Sequence, residues 1–255
     1  MPDFSQPTVL VTGATSGFGL ATARKFAASG YPLILTGRRE ERLNALKDEL
    51  SPLTNVCIYA MDVRKTEEVQ GMLEGIPEEF KNIEVLVNNA GLALGASPAD
   101  QAELSDWHTM IDTNVTGLVN VTHALLPVLK AQPKASVINL ASIASNWPYP
   151  GSHVYGATKA FVKQFSHSLR SDFAGTNVRV TSLEPGLSES EFSLVRFNGD
   201  QDKYDAIYKG ANALQPEDIA DIIFWIAEQP AHININSLEV MPTSQAWDNF
   251  KIVKG

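Results

Sequence analysis

The chain has 255 residues, 44% of them hydrophobic, a formal charge of −9 and a pI near 5.0. This length buries a large core and forces no second domain, so one α/β domain over residues 1–255 is expected. The acidic balance argues against nucleic acid or an anionic membrane surface as the main partner, and an anionic ligand must be met by local positive groups.

A short β-rich run at residues 8–12 leads into Thr12-Gly13-Ala14-Thr15-Ser16-Gly17-Phe18-Gly19 and then a helical pattern at 20–28. The glycines are spaced Gly-x-x-x-Gly-x-Gly, unlike the general dinucleotide fingerprint, but strand, tight turn and helix follow in the same order. Gly13 permits the turn, while Gly17 and Gly19 let backbone approach a pyrophosphate at the helix N-terminus. A purely structural turn is the alternative for the glycines alone.

The second strand, 32–36, ends in Gly37-Arg38-Arg39. Sites selective for NAD place an acid about 20 residues past the glycine turn; here two arginines stand instead, and guanidinium suits a ribose 2′-phosphate. NADP is therefore expected, with Arg38 ahead of Arg39. The competing reading is a solvated helix start, because Arg39 to Arg42 also looks like an ordinary surface charge cluster.

A helix at 41–50 precedes a third strand at 56–60, after which Asp62 and Val63 would meet adenine through a carboxylate and a backbone N–H. A surface-turn aspartate is as good a reading of Asp62 alone. The fourth strand, 83–88, runs into Asn88-Asn89-Ala90-Gly91, beside the ligand crevice of such folds. Asparagines there also satisfy strand-end backbone groups. Residues 92–101, rich in Ala, Gly and Pro, read as a ligand-facing loop.

A long helical pattern at 107–129 contains Asn114, which on its own reads as an interior asparagine bonding to backbone. A fifth strand, 136–141, ends at Ser142. The next helix, 154–173, carries Tyr155 and Lys159 four apart on one face. A nearby ammonium favours a phenolate, bringing tyrosine toward neutral acid-base chemistry, and the Ser142 hydroxyl would hold a carbonyl oxygen against it. Each has a bland alternative: a core tyrosine, a surface lysine, a turn serine. Their convergence on one crevice points to reversible carbonyl reduction.

The sixth strand, 178–183, is followed by Pro185-Gly186 and then by residues 187–210, which show no strong periodicity and are read as a substrate loop or lid. Arg196 within it is assigned to a substrate carboxylate, the alternative being a solvated surface arginine. A helix at 216–228 and a tail at 231–255 complete the chain; Trp247 and Phe250 suggest a subunit contact, or a tail folded on its own subunit. The alternating rhythm predicts a doubly wound, Rossmann-type three-layer sandwich with a mostly parallel sheet. Cys57 is the only cysteine, no leader-like segment opens the chain and no apolar run spans a bilayer, which favours the cytoplasm. No metal site is expected.

In Thr12 to Gly19, Asp62, Asn88 to Gly91, Asn114, Ser142, Tyr155, Lys159 and Pro185-Gly186, the chain resembles the short-chain dehydrogenase/reductase family over nearly its whole length. Its stretches at 36–43, 89–95, 145–149, 184–187, 191–197 and 230–236 resemble the branch of NADP-dependent 3-hydroxy acid dehydrogenases, which oxidise serine or L-allo-threonine and reduce malonic semialdehyde. The resemblance implies Tyr155 as acid-base, Ser142 as substrate-orienting, Lys159 on the nicotinamide ribose and Asn114 holding a water in a proton relay. It implies NADP contacts from Gly13, Thr15, Ser16, Gly17, Phe18, Gly19, Arg38, Arg39, Asp62, Val63, Asn89, Ala90, Gly91, Tyr155, Lys159, Pro185, Gly186, Leu187 and Ser188. A homotetramer is implied too. Where the family often has threonine after Pro-Gly, this chain reads Leu187-Ser188-Glu189-Ser190, with Ser188 or Ser190 as the substitute. A reductase of another carbonyl, such as a 3-oxoacyl thioester or a sugar, and a non-enzymatic NADP sensor are the competing readings; Tyr155 and Lys159 together disfavour the sensor.

Overall fold

The computed structural model describes residues 6–196 and 199–247. Strands and helices alternate through β1 (Thr8–Val11), α1 (Gly17–Ala28), β2 (Leu33–Gly37), α2 (Glu40–Leu50), β3 (Val56–Ala60), α3 (Thr66–Gly75), β4 (Ile83–Asn88), α4 (Leu104–Ile111) and α5 (Leu118–Ala131). There follow β5 (Ala135–Leu140), α6 (His153–Asp172), β6 (Val178–Pro185), α7 (Glu191–Arg196), α8 (Gln201–Tyr208), α9 (Pro216–Ala227) and β7 (Ser237–Val240). The strands form one sheet in the order β3-β2-β1-β4-β5-β6-β7, parallel at every pairing.

Near-continuous apolar runs form these strands because both sheet faces are covered. Val9 and Val11 join Leu33, Leu35, Ile138 and Leu140 on one face, under Phe26 of α1, Leu43 of α2 and Ile223 of α9. Leu10, Ile34, Leu86 and Val137 point the other way, into Val69 of α3, Leu125 of α5 and Leu169 of α6. Strand order reverses direction between β3 and β4, which opens a crevice at the carboxyl ends of β1 and β4. No helix among the described residues is long and apolar enough to cross a membrane.

Three departures from the expected elements bear on function. The helix expected at 107–129 is divided by a wider π turn, Asp112–Gly117, that contains Asn114. Residues 187–210 are not irregular: they contain α7 and α8, whose six and eight residues are too short to show a periodic stripe. Finally, α3 and β7 have no counterpart in the sequence reading. In α3 only Val69 and Met72 are buried, and β7 is a four-residue edge strand carrying Glu239, so neither has the apolar density that marks an element.

Candidate active site

The glycine turn is built from the strand ends on both sides of it. Thr12 Oγ1 accepts the Asn89 and Ala90 N–H groups, each at 3.0 Å, and Asn89 Nδ2 donates back to the Thr12 and Gly13 carbonyls at 2.9 and 3.1 Å. Asn89 thus pins the turn, as strand-end asparagines do. Asn88 lies deeper, donating to Thr122 and Asn139. Gly13 has φ 67°, and a methyl group on Gly19 would overlap the Gly13 carbonyl and the Asn89 amide. Glycine at 19 therefore sets how closely α1 approaches the turn. Ser16, the N-cap of α1, makes no side-chain capping bond, so the first-turn N–H groups are left to a ligand in the cleft. A cradle of open backbone donors fits a pyrophosphate.

This cleft, about 320 Å³, is lined by Gly13, Thr15, Ser16, Gly17, Phe18, Arg38, Arg39, Asp62, Val63, Asn89, Ala90, Gly91, Pro185, Gly186 and Ser188. Arg39 Nη2 donates to Thr15 Oγ1 and Ser16 Oγ, both at 2.8 Å, tying the end of β2 to the glycine turn. Arg38 is exposed at the same rim. Arg42, set aside in the sequence as surface charge, reaches the Thr15 carbonyl and both oxygens of Glu191, the latter at 3.0 Å. The Asp62 carboxylate is gripped by the Arg64 guanidinium, which holds its pKa below the ordinary aspartate range. Because Arg38 is exposed, a 2′-phosphate bound there would be partly screened, and Arg38→Ala is expected to weaken NADP+ by about 10-fold with little effect on NAD+. Equal losses for both cofactors in fluorescence titration would make Arg38 structural.

The chemical groups meet where β5 and α6 converge. Ser142 follows β5 and caps a 3-10 turn, its Oγ accepting the Ala144 N–H at 3.1 Å, and it lines the same cleft as Tyr155. Lys159, one turn along α6, is buried; its Nζ donates to the Leu140 carbonyl at 2.6 Å and stands 6.0 Å from the Tyr155 ring centre. The expected downward pull of Lys159 on the phenol is not what this geometry produces. Burial, and next the Tyr149 phenol, push the Tyr155 pKa up, with only Ser142 and Arg196 acting against them. Burial also lowers the Lys159 pKa to about 8. Desolvation outweighs the pair interaction because the ammonium is aimed at a backbone carbonyl rather than the phenol.

Asn114 is held in place. Its amide exchanges two 2.8 Å hydrogen bonds with the Leu92 backbone and donates to Thr158 Oγ1 at 3.0 Å. Asn114 Oδ1 and Lys159 Nζ both flank Gly91, so the π turn brings this residue to the lysine side of the site.

A second cavity, about 570 Å³, shares Ser142, Tyr155, Gly186, Ser188 and Phe192 with the cleft and extends to Trp147, Tyr149, Arg196, Gln245 and Trp247. Arg196 is directed into it rather than to the surface: Nε donates to the Gly95 carbonyl and Nη1 to the Tyr149 hydroxyl, each at 3.0 Å, and the guanidinium lies 5.9 Å from the Tyr155 ring centre. Ser188 Oγ is turned back onto the Gly186 carbonyl. The Leu187 N–H is taken by Gln245, whose amide oxygen also fills the space beside Gly186. Trp147 and Trp247 both donate to Glu239 while Trp247 stays 67% exposed, and Phe250 lies outside the described residues. The sequence reading did not single out Tyr149, Gln245, Glu239 or Arg42 as site residues, because each becomes part of the site only through a contact with a distant segment.

Residues 7–198 match the family of short chain dehydrogenases. The chain belongs to this family. It is 58% identical to sulfoacetaldehyde reductase 2 of Chromohalobacter salexigens, with 96% of this chain and 97% of that protein covered. With an NADP-dependent 3-hydroxy acid dehydrogenase of Salmonella typhi it shares 51% identity over 96% of this chain and 98% of that protein. Among solved structures, the closed form of serine dehydrogenase complexed with NADP+ superposes with a TM-score of 0.93 at 49% identity, covering 97% of this chain and all of that one. This short-chain dehydrogenase is an NADP-dependent oxidoreductase that acts on hydroxyl groups.

Proposed function

We propose that this short-chain dehydrogenase interconverts small 3-hydroxy acids and their 3-oxo or semialdehyde forms. The observation that carries the reading is Arg196, a guanidinium facing the same cavity as Ser142 and Tyr155. A small acid with its anion at Arg196 would present its hydroxyl carbon toward the tyrosine. Tyr155 exchanges a proton with the substrate oxygen, and Ser142 orients and polarises that oxygen. Bound beside them, NADP(H) would supply or take up the hydride. Lys159 serves the nicotinamide ribose and, once directed off the Leu140 carbonyl, lowers the phenol pKa. Asn114, whose Oδ1 accepts only the Leu92 N–H and keeps a second lone pair, holds a relay water that links Lys159 to solvent. The first-turn N–H groups of α1 would cradle the pyrophosphate, and Arg38 with Arg39 the 2′-phosphate; Asp62 and Val63 would meet the adenine, and Asn89 to Gly91 and Pro185 to Ser188 the nicotinamide side.

A second anion deserves equal rank on a specific ground. The sulfoacetaldehyde reductase relative is more alike, at 58%, than the 3-hydroxy acid dehydrogenase, at 51%. Sulfoacetaldehyde and malonic semialdehyde differ only in the acid group, and the Arg196 and Tyr149 donors suit sulfonate as well as carboxylate. Reduced-nicotinamide absorbance decides between them. Oxidation of NADPH by malonic semialdehyde and by sulfoacetaldehyde is compared with reduction of NADP+ by L-serine, L-allo-threonine, 3-hydroxypropanoate and 3-hydroxyisobutanoate. Turnover confined to a 3-oxoacyl thioester or a sugar would overturn both. A homotetramer in the cytoplasm, which a native mass measurement and cell fractionation check, completes the proposal.

Arg196→Leu is expected to raise KM for acidic substrates by roughly 10- to 100-fold, the range of a lost charge-assisted contact, and to spare uncharged carbonyls. Parallel loss on both substrate types would mark a lid defect instead.

A further inference from the structure

The two cavities are bridged by α7, whose ends face different ligands. Arg196, at its C-terminal end, also ties the helix to the 92–101 loop, because the Gly95 N–H donates to the Arg196 carbonyl at 3.0 Å. Glu191, at its N-terminal end, lines the cofactor cleft and bonds Arg39 Nη1 at 3.3 Å and Arg42 Nη1 at 3.0 Å. A single carboxylate on the lid thus engages an arginine pair at the rim where a 2′-phosphate would arrive. Arg39 is already held by Thr15 and Ser16, so its position is set by the glycine turn and not by Glu191.

We propose that Glu191 is a cofactor-selectivity residue: its carboxylate competes with the ribose 2′-phosphate for Arg39 and Arg42. NADP must displace or share this ion pair, and NAD need not. The carboxylate moderates the preference for NADP and links phosphate binding to release of the N-terminal end of α7. Two like-charged groups drawn to the same guanidinium pair oppose each other, while each alone is attracted. Side chains at the pair are 42%, 49% and 46% exposed for Arg39, Arg42 and Glu191, so screening keeps the effect modest and the fold does not depend on it.

This inference rests on the arginine rim receiving the 2′-phosphate, and the test separates the two. Calorimetric titrations of NADP+, NAD+, adenosine 2′-monophosphate and adenosine 5′-monophosphate are run at low ionic strength on wild type, Glu191→Gln and Arg42→Gln. Glu191→Gln is expected to tighten NADP+ and adenosine 2′-monophosphate by about 5-fold, the scale of an exposed ion pair, leaving NAD+ and adenosine 5′-monophosphate within about twofold. Arg42→Gln is expected to weaken the 2′-phosphorylated ligands by a similar factor. Opposite signs from the two partners cannot come from general damage to the lid, which would weaken both. Wild type binding NADP+ no tighter than NAD+ would overturn the rim assignment and this inference together. A normal wild-type preference with NADP+ unchanged or weakened in Glu191→Gln, or equal changes for NADP+ and NAD+, would overturn the role of Glu191 alone.

Discussion

Tyr155→Phe is expected to lower kcat by about 10²- to 10⁴-fold, the usual contribution of a positioned acid-base group, with NADPH affinity within about twofold of wild type. The substitution keeps the buried ring, its 5.7 Å contact with Phe192 and its place beneath the Arg196 guanidinium, and removes only the oxygen. Burial pushes the Tyr155 pKa up, so the phenol is neutral at pH 7 in the folded and unfolded chain and its loss removes no charge. Stopped-flow turnover beside a fluorescence titration of NADPH makes the check. A variant retaining more than a few per cent of kcat would remove Tyr155 from the chemistry and leave it a core residue.

Lys159→Met is expected to divide function from stability in opposite directions. Turnover should fall by roughly 10²-fold and NADP+ should bind less well, since the ammonium is assigned both to the ribose and to the phenol. Thermal stability at pH 7 should rise. Burial lowers the Lys159 pKa from 10.5 to about 8, so between those values the unfolded chain binds more protons than the folded one. Stability of the wild type therefore climbs as pH rises through that window, and the full penalty of the buried charge is present below it. Removing the charge recovers on the order of 3 kcal/mol, less about 1 kcal/mol for the hydrogen bond lost at the Leu140 carbonyl. The net gain of about 2 kcal/mol corresponds to a Tm increase of roughly 4–8 °C. Melting curves at pH 7 and pH 9.5 are the measurement, below the range in which the raised Tyr155 pKa adds its own dependence. An advantage equal at both pH values would show that packing, not charge, separates the two proteins.

Both variants illustrate why a site of this kind costs stability: it buries polar and ionisable groups. Lysine, tyrosine, serine and asparagine are buried together at the carboxyl end of the sheet, where desolvation works against every charged form. A reaction that needs a phenolate or an ammonium there draws on cofactor and substrate to provide the opposing charges.

The family, its parallel doubly wound sheet and its use of NADP could be read from the chain because their signals are local. Buried parallel strands write continuous apolar runs such as Val9-Leu10-Val11 and Val137-Ile138-Asn139-Leu140, and the glycine turn follows its strand directly. Tyr155 and Lys159 are related by the pitch of one helix, so their shared face follows from spacing alone. The tertiary structure decided what depends on distant segments. Asn114 is drawn to the site by a π turn, whose backbone widening has no side-chain periodicity to announce it. Gln245 lies 58 positions from the Leu187 it bonds, and Glu191 lies 149 from Arg42. The Tyr155 pKa is raised rather than lowered because burial, a property of the whole fold, exceeds the attraction that a four-residue spacing suggests. Charge identity and helical spacing are written in the chain; which carboxylate faces which guanidinium, and how far either is from water, is settled only when the sheet closes its segments together.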